Sequence, residues 1–324
     1  MIRLFTAAIL ACASLGAAAQ SVEELKRALA ERDATIRELR QRIDALEGQK
    51  MAQPALSAVA PAPGGSKQED EVLDRALERT LVQQGGLLLP AGVYEFQPEA
   101  TYAHWDKARG PLREESGAAL TLRAGLPWDA QVQVRLPYLH VTTANSSATA
   151  LGDASLSLSK QLAREGDGSP GVIASLGWSA RTGRDGFDGS APTGSGFNTF
   201  SGALTLVKRR DPLMYYGGIS YAHSASRTIG GVDVAPGDVR GLRFGGILAA
   251  TPDTAVNVGL NLAFGDRSRF NGQALADSDA TLGTLQLGIG TVVTRNMMLN
   301  LSADIRVEGN VPNYRLTASL PIRF

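Results

Sequence analysis

The sequence predicts an all-β fold: a transmembrane antiparallel β-barrel of about twelve strands, preceded by an α-helical coiled coil and a short plug helix. Three observations carry that expectation. From Val93 onward apolar and polar residues alternate with period two, in stretches of about ten residues. The connections between these stretches alternate between tight turns and long polar loops. The chain also opens on a secretory leader, yet contains no apolar run of the roughly 18 residues that a spanning helix needs.

The leader comes first. Met1-Ile2-Arg3 is a short positive region, Leu4 to Gly16 an apolar one, and Ala17-Ala18-Ala19 a small-residue cleavage site, which sets residues 1–19 apart as a signal peptide. The single cysteine of the chain, Cys12, lies inside it, so the mature body has neither disulfides nor cysteine metal sites. The 324 residues carry 32 basic and 32 acidic side chains. A formal charge of zero excludes a general nucleic-acid binder, which needs a basic excess.

Residues 20–48 read as a coiled coil. Leu25, Leu29, Ile36, Leu39, Ile43 and Leu46 take a and d positions of successive heptads, with Arg32 intruding at one d position. So narrow an apolar stripe suits another helix of its own kind better than a globular core. Ile at a with Leu at d leans toward dimers, whereas Arg42-Ile43-Asp44-Ala45-Leu46-Glu47 resembles the pattern of trimeric coiled coils. A homotrimer is the expected assembly. Residues 49–68, with Pro54, Pro61, Pro63 and Gly64-Gly65 among Ala and Ser, form a linker. Residues 69–86 form an amphipathic plug helix, ended by Gly85-Gly86, with Ala76, Leu77, Thr80 and Leu81 on one face. Its other face is acidic: Glu71, Asp74 or Glu78 is expected near Arg123, Arg315 or Arg323 of the lumen.

Residues 87–324 are the barrel. Strands are expected near 93–104, 116–126, 130–141, 153–163, 171–181, 198–208, 212–223, 239–250, 254–265, 281–293, 297–307 and 313–324. With both termini periplasmic, the tight turns 127–129, 209–211, 251–253 and 294–296 fall on the periplasmic side. The long Gly/Asp-rich segments 182–197, 224–238 and 266–280 then fall outside the cell. Alternation points Glu95, Glu99 and Asp304 inward together with Arg123, Arg135, Arg243, Arg306, Arg315 and Arg323, six arginines against three acids. Closure of the last strand on the first sets Arg323 beside Glu95.

Catalysis finds little support. His104, His140 and His223 lie near the outer ends of their strands, and His104 and His140 share the lipid-facing set. His223 is followed by Ser224, but adjacent strand residues point to opposite faces. A base needs a nucleophile within hydrogen-bond reach, and no such set is visible. No enzyme activity, cofactor or metal is expected, and Asp185, Asp188 and Asp233 read as solvated loop acids.

Tyr314, Leu320, Ile322 and Phe324 share one face of the terminal stretch. A terminal Phe behind alternating apolar residues resembles the signal read by the bacterial outer-membrane insertion machinery. The stretches Gly86-LLLPAGVYEFQPEATYAH, GLPWDAQVQVRLPYLHV, LGDASLSLSKQL and GFNTFSGALTLVKRRDPLMYYGGISYAHS resemble the outer-membrane family named for the meta pathway of phenol degradation, over roughly residues 70–324. The order of coiled coil, linker, short helix and barrel is similar to the functional-amyloid secretion channels of that group. That resemblance implies a trimer whose short helix plugs each pore. The expected function is an outer-membrane channel passing a polypeptide or a small, anionic or aromatic solute. The alternatives are a non-conducting anchor whose coiled coil docks a periplasmic or cell-wall partner, and an outer-membrane lipid hydrolase.

Overall fold

The computed structural model describes residues 76–106, 113–166, 168–210 and 212–324. The leader, the coiled-coil positions Leu25, Leu29, Ile36, Leu39, Ile43 and Leu46, the linker, and Glu71 and Asp74 lie outside the described residues.

A helix, α1, covers 76–83. The strands that follow are β1 (Tyr94–Trp105), β2 (Arg113–Leu126), β3 (Ala130–Thr143), β4 (Ser147–Leu151), β5 (Ser155–Ala163) and β6 (Gly171–Ser179). Next come β7 (Thr199–Arg210), β8 (Leu213–Ser224), β9 (Arg227–Ile229), β10 (Val232–Ala235), β11 (Val239–Thr251) and β12 (Thr254–Gly265). The chain ends with β13 (Arg269–Phe270), β14 (Gln273–Ala274), β15 (Ala280–Thr294), β16 (Met297–Glu308), β17 (Tyr314–Ser319) and β18 (Ile322–Arg323).

Twelve antiparallel strands close into a barrel: β1, β2, β3, β5, β6, β7, β8, β11, β12, β15, β16 and β17, the last pairing back onto β1. β4 extends the wall beside the upper half of β3, where β5 covers the lower half. β18 continues β17 against β1. The terminal stretch, expected as one strand, is interrupted at Leu320-Pro321 because proline has no N–H for the ladder. Closure is sealed by reciprocal backbone bonds, Tyr94 N–H to the Phe324 carbonyl at 3.3 Å and Phe324 N–H to the Tyr94 carbonyl at 2.9 Å.

One end of the barrel carries the tight turns and Phe324. In the first of these turns Trp128 and Asp129 adopt φ of 64° and 55°, a left-handed pair that reverses the chain within three residues. The opposite end carries the long segments. Two of them pair with each other there, as β9, β10, β13 and β14 form a separate four-stranded sheet. The third, 180–198, folds back toward the barrel axis.

The wall shows why period two matters. Leu122, Leu136, Leu158, Leu176, Leu204, Ile219, Phe244, Val258, Leu287, Leu301 and Leu316 point outward and are exposed, one from each of eleven consecutive wall strands. Tyr94, Trp128, Tyr215 and Phe324 flank this apolar band toward the turn end, and Tyr102, Trp178, Phe200, Tyr221 and Phe264 toward the loop end. An unbroken apolar belt between aromatic girdles is the surface of a barrel made for lipid, not water. The core therefore sits inside the barrel.

Candidate functional site

The lumen holds the chemistry, and α1 is its central element. Ala76, Leu77, Arg79, Thr80, Leu81 and Val82 are all buried, six of eight helical positions. A helix lying on a surface would leave one face exposed. The barrel wall instead surrounds this one. Gly85 ends it with φ 67°: its N–H bonds the Val82 carbonyl (3.1 Å) and that of Gly86 bonds the Leu81 carbonyl (2.9 Å), satisfying two terminal carbonyls.

The helix has two kinds of contact. Ala76, Leu77 and Leu81 form one buried cluster with Val207, Met214, Tyr216, Ile247 and Ala255, all inward residues from the turn-end halves of β7, β8, β11 and β12. The lumen is thus not uniformly polar, as the alternation alone suggested. Opposite, Thr80 comes against Gly290 of β15, where an added Cβ would run into the side chains of Met298 and Asn300 and lie 3.2 Å from the threonine Oγ1. Polar anchors complete the seat. Arg79 donates to the Arg295 carbonyl, and the Gln83 amide donates to Glu95 Oε1 at 3.0 Å while accepting from Arg123 at 3.2 Å.

Glu95 organises the turn-end half of the lumen. Register puts Arg123 on one side of it and Arg323 on the other. Arg123 Nη1 lies 2.5 Å from Glu95 Oε1, and Arg323 Nε lies 3.0 Å from Oε2. Only 2% of Glu95 is exposed, so this carboxylate is stabilised by its two guanidinium partners in place of water. Arg123 also donates to Gln97 (2.6 Å) and Gln133 (2.8 Å). Arg135 pairs with Glu99 at 2.8 Å, Arg315 stands in register with Asp304, and Arg306 donates to the Val311 carbonyl at 3.3 Å. Arg243 donates to Thr205 Oγ1 at 2.5 Å. Glu78 has no hydrogen bond or ion pair to an arginine among the described residues; the helix residue that meets Arg123 is the neutral Gln83.

Between α1 and the loop end lies a polar cavity of about 470 Å3, lined by Thr80, Gln83 and Gln84 of the helix segment and by Gln97, Glu99, Arg135, Asn257, Gln286, Asn300, Asp304 and Arg315 of the wall. Thr193 and Gly194, in the segment 180–198, line it too. Asp153 clamps that segment. It accepts from Gly183 N–H (3.0 Å) with one oxygen, and from Ser195 N–H (2.6 Å) and Oγ (2.8 Å) with the other. Thr193 Oγ1 donates to the Leu151 carbonyl at 2.9 Å, and Ala191 is buried against Val141 and Ala148. Arg227 binds Asp185 at 2.7 Å, and that hydrogen bond holds the Asp185 carboxyl below its ordinary range.

Several of these residues escaped the sequence reading. Arg113 and Glu115, paired at 2.9 Å, also face the lumen, from a part of β2 that precedes the expected strand start at 116, and Asp153 lines the cavity too. Gln83 carries no charge, so a pattern of charged and apolar positions does not mark it. The inward apolar patch did leave a trace: alternation fails at Leu206-Val207, Leu213 to Tyr216 and Ile247-Leu248-Ala249, where both faces of the strand are apolar. Such a lapse at one end of three neighbouring strands marks a second buried surface.

The histidines face outward. His104 stacks on Tyr314, His140 Nδ1 lies 2.7 Å from Thr149 Oγ1, and His223 Nδ1 lies 2.7 Å from Asp238 Oδ1. Bonds from Tyr221 and His223 hold the Asp238 carboxyl below its ordinary range. The Ser224 hydroxyl turns the other way, to Thr199 at 2.9 Å. Among the described residues no group of three or more His, Asp or Glu gathers to hold a metal.

A closed twelve-stranded barrel with an apolar belt and a helix within its lumen belongs to the class of outer-membrane-type β-barrels. No protein-family model matches the chain. Among solved structures it is similar to an outer membrane channel from Pseudomonas putida F1, at 16% identity and a TM-score of 0.67, over 74% of this chain and 97% of that one. The NanC porin aligns at 10% identity and a TM-score of 0.45, over 70% of this chain and 98% of the porin. The KdgM porin aligns at 7% identity and a TM-score of 0.42, over 70% and 99%.

Proposed function

We propose that this protein is an outer-membrane channel, closed at rest from the periplasmic side by α1 and opened when α1 leaves its seat. The observation that carries this reading is the burial of α1 on nearly every side within a closed barrel, with a polar cavity beyond it. A barrel of this size is wider than the filled eight-stranded type and has room for one helix or a narrow channel. The outward belt supports residence in a bilayer, and the tight turns support placing their end in the periplasm. The cavity lining of amides, hydroxyls and paired charges suits a small hydrated solute.

The test is planar-bilayer conductance with and without residues 20–86. Current on removal supports the channel. Silence of the truncated, folded barrel assigns the filled-anchor reading instead, which the many contacts of α1 also suit. The heptad spacing supports a further part of the proposal, that residues 20–48 join three copies. Ile36→Asp with Ile43→Asp is then expected to give monomers in detergent, and an unchanged oligomer mass refutes it.

A further inference from the structure

A second lumen cavity, of about 520 Å3, lies on the β6–β15 side against Ser175, Thr205, Ser220, Arg243 and Asn261. Among the described residues Arg243 is the one charged side chain lining it. Its setting differs from that of the lumen arginines that face a carboxylate, and resembles that of Arg306, which bonds the Val311 carbonyl. Arg113, Arg123, Arg135 and Arg323 each pair with a glutamate, and Arg315 stands across from Asp304. Arg243 has no carboxylate among the described residues; its hydrogen-bond partner is the Thr205 hydroxyl.

The position is built along one rung of the wall. Register aligns Asn261, Arg243, Gly218 and Thr205 across four adjacent strands. The side chain lies over Gly218, where an added Cβ would come within 3.2 Å of Arg243 Nε. Its other end reaches Gly85, just past the C-terminus of α1. The partial negative charge of a helix C-terminus, about half a unit, offsets the guanidinium only in part. A half-buried cation with five N–H donors and one acceptor among the described residues is an incomplete arrangement.

We propose that Arg243 and this cavity bind a small organic carboxylate with a compact apolar body. The proposal deepens the channel reading and rests on it for the ligand's route. The guanidinium fork matches a carboxylate with two parallel bonds, which a neutral amide cannot reproduce. Ser175, Ser220 and Asn261 offer further polar contacts, while Ala203, Ala222 and Ala263 leave room for an apolar body. Arg306 stands at the approach: it is in register with Thr284 and bonds the Val311 carbonyl, and both residues line the cavity. A second cation there draws anions inward. A bound carboxylate also competes with the α1 C-terminus for Arg243.

Equilibrium dialysis of the full-length protein in detergent tests this, with labelled benzoate and its neutral isostere benzamide. Saturable benzoate binding is expected, with benzamide much weaker. Arg243→Gln should lose at least about tenfold in benzoate affinity, since a hydrogen bond to a charged group contributes more than that factor. Arg240→Gln, on the outward face beside it, should bind as wild type. The heat-dependent gel shift of folded barrels confirms that each variant has folded. Benzoate binding unchanged in Arg243→Gln, equal binding of benzamide, or no saturable benzoate binding by the folded wild type overturns the proposal. Inorganic phosphate displacing benzoate at lower concentration overturns the carboxylate assignment. Benzoate entry into proteoliposomes carrying the barrel without residues 20–86 reports the channel separately: binding by the full-length protein without entry through the truncated, folded barrel refutes the channel and leaves the site.

Discussion

Leu81→Ala should open the channel without harming the barrel. Leu81 is 2% exposed and sits in the cluster that joins α1 to Val207, Met214, Tyr216, Ile247 and Ala255. Its Cδ2 also fills the space over Gly86, where an added Cβ would approach within 2.7 Å. Truncation loses both the transfer energy of the removed carbons and the contacts around the hole they leave. For a buried leucine that sum is about 2–5 kcal/mol. None of the wall's hydrogen bonds involves Leu81, so the loss falls on the docking of α1, not on barrel closure. At 1.4 kcal/mol per tenfold, docking weakens by roughly 30-fold to a few thousandfold. Single-channel recording should then show openings far more frequent than in wild type. Leu122→Ala, on the outward face, serves as the control and should leave gating alone. An open fraction equal to wild type, with the variant folded, would refute the view that apolar docking of α1 closes the pore.

Three further outcomes are expected. Glu95→Gln strands Arg123 and Arg323 without their shared counter-charge, a loss of about 3–5 kcal/mol for a broken buried pair; the midpoint of heat-induced unfolding on gels should fall, and an unchanged midpoint counts against the network. The Asp185 carboxyl is held low by Arg227, so its contribution is present above the ordinary carboxylate range and is lost as pH drops through the depressed value. Proteolysis of the 180–198 segment should therefore rise on acidification below about pH 4, and Asp185→Asn should cut as readily at neutral pH; equal cutting of wild type at both values would refute the tie. Single cysteines at Asp233 or Asp277 should label in intact cells and those at Asp129 or Asp253 should not, whereas the reverse pattern would invert the topology.

Period two is a local property of a strand in a two-sided environment, so the sequence by itself determined the twelve strands, their approximate ends and the face on which each side chain falls. It also placed Glu95, Arg123, Arg135 and Arg323 on the inner face, because the inside of a barrel is every second residue of its wall. Register is not local. That Arg123 and Arg323 meet on one carboxylate, while Arg243 meets none among the described residues, depends on strands far apart in sequence lying side by side. The seat of α1 was hidden for the same reason. Its apolar stripe was legible, but Val207, Met214, Tyr216, Ile247 and Ala255 come from four strands and form one patch only after the wall has curved round them. A helical stripe can find lipid, another helix or such a patch with similar gain per unit of buried area, about 25 cal/mol per Å2 in each case. Propensity and spacing made α1 amphipathic; closure of the barrel decided what its apolar face would meet.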